Sequence, residues 1–200
     1  MIDGLDGVGK TTQIELLAKK YTDAGQAVKT SRINGGTDIG EQLRSVMLGG
    51  NPRPANTDLF IAMAMYSALA AQVEQWRLGE KNGLILIDRS PLSLIAYQVY
   101  GEQASPELAQ QFLDLTLQMF NPSGIIVYDL DAQQALARNK GMPSYVQDYY
   151  TSHSPDFFKD VRSGFLDSAK KLSPLVNILD VTGLSPEQVC AKTSQIIDAI

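Results

Sequence analysis

Residues 4 to 12 read Gly4-Leu5-Asp6-Gly7-Val8-Gly9-Lys10-Thr11-Thr12, and this stretch constrains the chain more than any other. It satisfies the G-x-x-x-x-G-K-[ST] phosphate-binding pattern in full and runs straight into a helical repeat. Glycines at these positions let the backbone curl so that successive N–H groups face inward as an anion nest. A helix opening near Gly9 adds the partial positive charge and unpaired N–H groups of its first turn. Lys10 is placed to reach the outer phosphates, and the Thr11 hydroxyl to hold Mg²⁺. The bland alternative is a glycine-rich turn that merely precedes a helix, and the Lys-Thr pair in register argues against it. The pattern predicts that Gly4, Gly7, Val8, Gly9, Lys10, Thr11 and Thr12 bind a nucleoside triphosphate.

Composition narrows the chemistry. The 200 residues suit one α/β domain with a single core. Net charge is −5 and no basic stripe is present, so the electrostatic footprint of a nucleic-acid binder is missing. The apolar run Leu59 to Met65 stops well short of a membrane span, and no signal peptide precedes the motif, which points to the cytoplasm. The single cysteine, Cys190, reads as a small packing residue. His153 is the only histidine, which excludes a His-cluster metal site and a Ser-His or Cys-His nucleophile. The chemistry must therefore run on carboxylates, lysines, arginines and a bound metal.

Strand-like runs alternate with helical patterns, the signature of a doubly wound parallel sheet flanked by helices. The strand before the phosphate loop is limited to Met1, Ile2 and Asp3, short for a central parallel strand, and reads as truncated. Further strands are expected at Ala27–Ser31, Leu84–Asp88, Ile125–Leu130 and Val176–Val181, giving five in all. Helices are expected after the loop until Gly25, over Ile39–Leu48, from a cap at Asn56 or Thr57 to about Leu78, over 91–100 and over 106–119. A turn holding Gly49-Gly50, Pro52 and Pro54 precedes the long helix. Ser154-Pro155 and Ser185-Pro186 each read as an N-cap followed by proline at the first helical position, opening the last two helices. Residues 139–154 lack periodicity, carry Gly141 and Pro143 and are rich in tyrosine. A loop of this length is commonly a lid, although a plain surface excursion fits too. Arg138 and Lys140 at its base favour the lid.

A second anchor is Ile87-Asp88-Arg89-Ser90. A carboxylate at the carboxyl end of a parallel strand lies where ligands bind in open α/β sheets. Asp88 can orient a metal or its waters. Arg89 can bridge phosphates, since a planar guanidinium matches their oxygens in bidentate fashion. A strand-end salt bridge is the structural alternative.

Taken in order, several blocks resemble the thymidylate kinase family. They are Asp6-Gly7-Val8-Gly9-Lys10-Thr11-Thr12-Gln13, then Arg32…Gly35-Gly36-Thr37…Gly40-Glu41…Arg44, then Thr57-Asp58-Leu59. Asp88-Arg89…Ser93…Ala96-Tyr97-Gln98 comes next, then Tyr128-Asp129-Leu130-Asp131…Ala135-Leu136…Arg138, and Phe157-Phe158…Val161-Arg162…Phe165-Leu166. The resemblance spans nearly the whole chain. It implies a single P-loop NTPase domain that moves the ATP γ-phosphate to the 5′-phosphate of dTMP or a related nucleoside monophosphate, with Mg²⁺. By the same resemblance, Lys10, Asp88, Arg89 and Arg138 are catalytic, and Thr11 and Asp88 serve the metal. Asp6 takes the acceptor's 3′-hydroxyl, Arg32 and Arg89 take its phosphate, and Tyr97 packs by the sugar. A homodimer is also implied.

The departures are as informative. The family's Arg-Glu-Pro run is Arg32-Ile33-Asn34 here. The helix from Thr57 places Tyr66 where the family has a base-binding arginine, and Ala62 where it has a stacking phenylalanine. Phe60 and Tyr66 are candidate substitutes, and Leu94 replaces a polar residue that reads the ring. A hydrogen-bonding site discriminates by roughly 10⁴-fold, and an apolar pocket by only ~10- to 200-fold. Phosphate transfer with altered or loosened thymine recognition is therefore expected. A deoxynucleoside kinase and a catalytically degenerate nucleotide-binding protein are the rival readings. The helix Leu59–Ala71 is apolar on most faces, which fits either a dimer contact or a helix buried between sheet and neighbours.

Overall fold

The computed structural model describes residues 1–49, 51, 53–142 and 147–200. Five strands form one parallel sheet in the order β2-β3-β1-β4-β5, where β1 is Ile2–Gly4, β2 Val28–Arg32, β3 Leu84–Asp88, β4 Ile125–Asp129 and β5 Val176–Asp180. The helices are α1 (Lys10–Asp23), α2 (Asp38–Leu48), α3 (Ala55–Gly79), α4 (Pro106–Phe120), α5 (Ala132–Lys140), α6 (Pro155–Lys171) and α7 (Pro186–Asp198). A π-helix, Leu94–Gly101, lies after β3, and a 3₁₀ turn, Tyr150–Ser152, precedes α6. This is the doubly wound parallel sheet expected from the alternating pattern, in the P-loop NTPase arrangement that the resemblance implies.

β1 has only three residues, all buried, yet it is central. Ile2 pairs with Asp88 of β3 and with Ile126 of β4, and Gly4 pairs with Tyr128. Two neighbouring strands therefore fix the start of the phosphate loop. β4 is buried along Ile125–Tyr128, as a strand covered on both faces requires.

Local signals set most helix ends. Ser154 and Ser185 cap α6 and α7 with proline next in line, and Ser185 forms a capping box with Gln188. α3 departs from expectation: it opens after Pro54, not at a capped Asn56 or Thr57. The Asn56 Oδ1 instead accepts from the Ser105 backbone N–H at 2.9 Å. The expected helix at 91–100 is the π-helix Leu94–Gly101, against which α6 lies closely; a Cβ on Gly164 would sit 2.8 Å from the Ala96 Cα. α5 was not expected. Nine residues capped by Asp131 carry too few apolar positions to register as a periodic face. Gly50 and Pro52 of the expected turn, and 143–146 of the expected lid, lie outside the described residues. No helix among the described residues is long and apolar enough to cross a membrane.

Asp3 ties the loop-bearing strand to the segment beyond β3. Its carboxylate is fully buried and accepts from the Gly4 N–H at 2.9 Å, the Ser90 N–H at 2.8 Å, the Ser90 hydroxyl at 2.7 Å and the Ser93 hydroxyl at 3.1 Å. Burial pushes its pKa up, while Arg89 and Lys10 oppose that rise. Asp3→Ala would leave four buried donors without an acceptor, at about 1–3 kcal/mol for a lost partner. Chemical denaturation should show Asp3→Ala destabilised by roughly 3 kcal/mol or more, since each stranded donor adds to the loss.

Candidate active site

The phosphate loop closes over β1 because glycine occupies its two tightest points. At Gly4 φ is +130° and a Cβ would lie 2.4 Å from the Tyr128 carbonyl oxygen. At Gly7 φ is +90° and a Cβ would lie 2.0 Å from the Ala135 carbonyl oxygen. Only glycine fits such contacts. α1 then begins at Lys10, with Gly9 as its left-handed N-cap.

Lys10 is buried and its Nζ donates to the carbonyls of Gly4 at 3.0 Å and Leu5 at 2.8 Å, with the Asp6 Oδ1 at 3.5 Å. Desolvation and the nearby Arg89 lower its pKa. The Thr11 hydroxyl donates to the Asp88 Oδ2 at 2.8 Å, whereas the Asp88 Oδ1 is sealed from solvent with no protein partner. An unpaired buried carboxylate oxygen beside a threonine hydroxyl is an oxygen donor set that suits a hard divalent cation.

Arg89 occupies a left-handed backbone conformation, φ +69°, and its N–H donates to the Ile2 carbonyl at 2.7 Å. A non-glycine residue held there is uncommon and concentrates at functional sites. The strain aims its guanidinium at Asp6, with which it forms a charged hydrogen bond, and lays it over the Tyr97 ring, 5.1 Å from the centroid. Tyr97 donates to the other Asp6 oxygen at 3.1 Å. Burial alone would raise the Asp6 pKa, but Arg89 and then Lys10 outweigh it and hold the carboxyl well below the usual range.

Two cavities meet at these side chains. One, of about 760 Å³, is lined by Gly7 through Gln13 with Arg32, Asp88, Arg89 and Arg138, and reaches Val181 and Val189. The other, of about 570 Å³, is lined by α3 and the π-helix through Ala62, Tyr66, Tyr97 and Gln98, and by Tyr150. Asp6, Asn34, Arg44, Arg89 and Asn139 border both.

The structure thus brings together Asp6, Lys10, Thr11, Asp88, Arg89, Tyr97 and Arg138, with Tyr66 on the wall of the second cavity. Two expected residues are placed differently. Phe60 is 58% exposed on the outer side of α3, edge-on to Phe112 at 5.2 Å, and borders neither cavity. It sits half a helical turn from Ala62, so the face that buries Ala62 and Tyr66 turns Phe60 outward. Arg32 lines only the phosphate-loop cavity, and Glu41 holds it in a bidentate pair at 3.1 and 2.6 Å. Arg44, which sequence reasoning did not assign to the site, borders both cavities and donates to the Asn34 carbonyl at 3.0 Å. Its place in the block Arg32…Gly40-Glu41…Arg44 was the available signal.

Leu94 is buried in the core; its neighbour Ser93 borders the second cavity, with its hydroxyl on Asp3. Gln98 donates to the Tyr150 hydroxyl at 3.1 Å, and Tyr150 donates to the buried Asp58 at 3.0 Å. Arg53 neutralises Asp58 through contacts of 2.5 and 3.3 Å. This relay holds the described end of the 139–154 segment against α3 and the π-helix.

A phosphate loop facing a second cavity across a shared row of charged side chains defines the class, a P-loop protein. A family model described as thymidylate kinase matches residues 2–192. A thymidylate kinase of Nitratidesulfovibrio vulgaris (strain DP4) is 31% identical over 205 residues, covering 98% of this chain and 90% of that protein. One from Wolbachia pipientis subsp. Culex pipiens (strain wPip) is 32% identical over 200 residues, covering 99% and 93%. The crystal structure of thymidylate kinase from Ehrlichia chaffeensis has the same fold, with a TM-score of 0.75 at 24% identity over 98% of this chain and 96% of that one. The chain belongs to the thymidylate kinase family, the ATP-dependent nucleoside monophosphate kinases that its motifs resemble.

Because the folded pKa of Asp6 lies below its unfolded value, ionised Asp6 contributes stability that is complete above the unfolded pKa of about 4. That contribution is lost as pH falls through the lower folded pKa. Thermal unfolding should therefore separate wild type from Asp6→Asn at pH 7, and the two curves should approach each other as the pH is lowered toward about 2.

Proposed function

We propose that this protein transfers the γ-phosphoryl group of ATP to the 5′-phosphate of thymidylate or a related (deoxy)nucleoside monophosphate. The observation that carries the reading is the shared border of the two cavities, where Asp6, Arg44 and Arg89 face both. Two phosphate-bearing ligands entering from opposite sides would meet there. Phosphoryl transfer needs little covalent chemistry from a protein, so positioning and charge do the catalysis. Lys10 and the loop N–H groups would hold the donor's phosphates. Arg89, oriented by Asp6 and Tyr97, would hold the acceptor phosphate in line, with Arg44 beside it. Arg138 would neutralise charge on the transferring group from the end of α5. The acceptor phosphate is itself the nucleophile, so no strong base is required. Thr11 and Asp88 are the residues that would hold Mg²⁺, which when bound offsets charge on the donor's outer phosphates.

The chain would act as one kinase domain, with residues 139–154 as its lid. Exposed Phe60 and Leu115 on the α3–α4 face suit a second copy of this chain, giving a homodimer. A cytoplasmic enzyme is the fitting setting. Base selectivity comes from the second cavity, where Ala62 offers little to stack upon. Tyr66 is a hydroxyl that burial keeps neutral, and so it can either donate or accept. Such a wall would select loosely among bases.

A coupled ADP-release assay over a panel of deoxynucleoside and nucleoside monophosphates tests the reading, with nucleosides as controls. Turnover on more than one monophosphate, little on nucleosides, and a loss of about 100-fold or more in Lys10→Ala are expected. Strict thymidylate preference would refute the loosened base site. ATP binding without turnover on any monophosphate would indicate a non-catalytic binder.

A further inference from the structure

The stretch 139–154 divides between the two cavities. Met142 borders the phosphate-loop cavity and Asn139 both, whereas Gln147, Asp148, Tyr150 and Thr151 line only the second. The end of the stretch is thus one wall of the second cavity. Among the described residues, its backbone bond to another element is a long one, from the Tyr149 N–H to the Leu48 carbonyl at 3.4 Å. Side chains must hold the wall in place.

Glu102 gathers those side chains. It follows the π-helix directly, and its backbone N–H donates to the Tyr97 carbonyl at 2.9 Å. Its Oε2 accepts from the Tyr149 hydroxyl at 3.1 Å, and its Oε1 lies 2.7 Å from the His153 Nε2. An ionised carboxylate only accepts, so that histidine nitrogen carries the proton. The side chains of Glu102 and His153 are 14% and 23% exposed, so water competes little for the bond. Burial and then Glu102 raise the Tyr149 pKa, which keeps its donated proton in place. Rings carry the hold inward. Tyr149 meets Tyr150 edge-on at 5.1 Å and His153 at 5.0 Å, and His153 meets Phe157 at 4.1 Å. Tyr150 meets Tyr97 edge-on at 5.7 Å, and Tyr97 lies beneath the Arg89 guanidinium and donates to Asp6. Edge-to-face contacts fix the angle of a ring as well as its spacing. Glu102 therefore grips one row of contacts at both ends, Tyr97 through its main chain and the neighbours of Tyr150 through its carboxylate.

We infer that Glu102 is a positioning residue for the second cavity, clamping the wall formed by 147–151 against Tyr97 so that the cavity is shaped before the nucleoside monophosphate enters. The inference rests on the proposed reading of that cavity as the acceptor site. Glu102 borders neither cavity and acts through Tyr149, His153 and Tyr150. Asp58 holds Tyr150 from α3, and Glu102 holds the residues on either side of it from the end of the π-helix. Two carboxylates on different elements thus stop the wall from swinging about either one. Without Glu102 the wall stands in place in only part of the population, and the apparent acceptor affinity falls by that fraction. The phosphate-loop cavity takes no lining from 147–151, so ATP affinity is not expected to follow.

Calorimetry of thymidylate and, separately, of ATP with Mg²⁺ compares wild type with Glu102→Ala and Glu102→Gln. The Ala variant should bind thymidylate about tenfold more weakly, with ATP affinity within about twofold of wild type, if the wall is in place in roughly a tenth of molecules. The Gln variant keeps an oxygen that accepts from His153 and an amide that donates to the Tyr149 hydroxyl oxygen, so it should recover most of the affinity. In steady-state assays of Glu102→Ala the acceptor KM should rise by the same factor at nearly constant kcat, the mark of lost uniform binding. Thermal midpoints show whether each variant is folded. If the Ala variant is not, Tyr149→Phe, which removes one donor and keeps the ring, should show the same selective loss in smaller measure. Unchanged thymidylate affinity in the folded variant overturns the assignment. So does a matching loss of ATP affinity, or a Gln variant as weak as the Ala variant. A wild type that binds thymidylate, with this pattern among its variants, yet transfers no phosphoryl group would sink the kinase reading and leave this one standing.

Discussion

The site depends on one buried carboxylate. Asp3 joins the three-residue central strand to the segment after β3 by accepting from Gly4, Ser90 and Ser93 at once. Its first bond fixes the entry to the phosphate loop. The others fix the turn that carries Asp88 and Arg89 and the start of the π-helix that carries Tyr97. Loop and arginine are placed by the same atoms, so their relative position is set before any ligand arrives.

Charge placement is a consequence of that geometry. Asp6 lies half-buried between Lys10 and Arg89 and stays ionised, because two cations outweigh its desolvation. It keeps Arg89 on target and separates two positive groups that would otherwise repel. Pre-positioned charges are the main catalytic resource for phosphoryl transfer, since they need no reorganisation when the reaction occurs. The strained backbone at Arg89 is consistent with this. A left-handed arginine persists only where its surroundings over-determine it, and here the Ile2 carbonyl, Asp6 and the Tyr97 ring all do so.

Features with strong local chemistry were legible in the sequence. The phosphate loop, the proline-marked N-caps and the apolar strands Leu84–Ile87 and Ile125–Tyr128 carry their signals within a few residues. Asp88-Arg89 could be placed because the end of a parallel strand is a fixed address in this fold class. What depends on long-range partners was not legible. Asp3 reads as one residue of a clipped strand, and only the sheet brings it to Ser90 and Ser93. Arg32 and Arg44 are equally basic on paper, and the Glu41 contact decides that one is held aside while the other faces both cavities. Phe60 and Tyr66 are both aromatic on one helix, and only the rotation of α3 against the sheet sends Tyr66 inward. α5 is too short and too polar for periodicity to detect.

The central claim is that two phosphate-bearing ligands meet end to end across Asp6, Arg44 and Arg89. The most direct measurement is calorimetry with a bisubstrate compound, adenosine and thymidine joined through five phosphates, in the presence of Mg²⁺. It should bind at one-to-one stoichiometry and far more tightly than ATP or thymidylate alone, and it should compete with both. Affinity no better than that of ATP, with thymidylate still able to bind alongside it, would mean that the cavities do not form one continuous site.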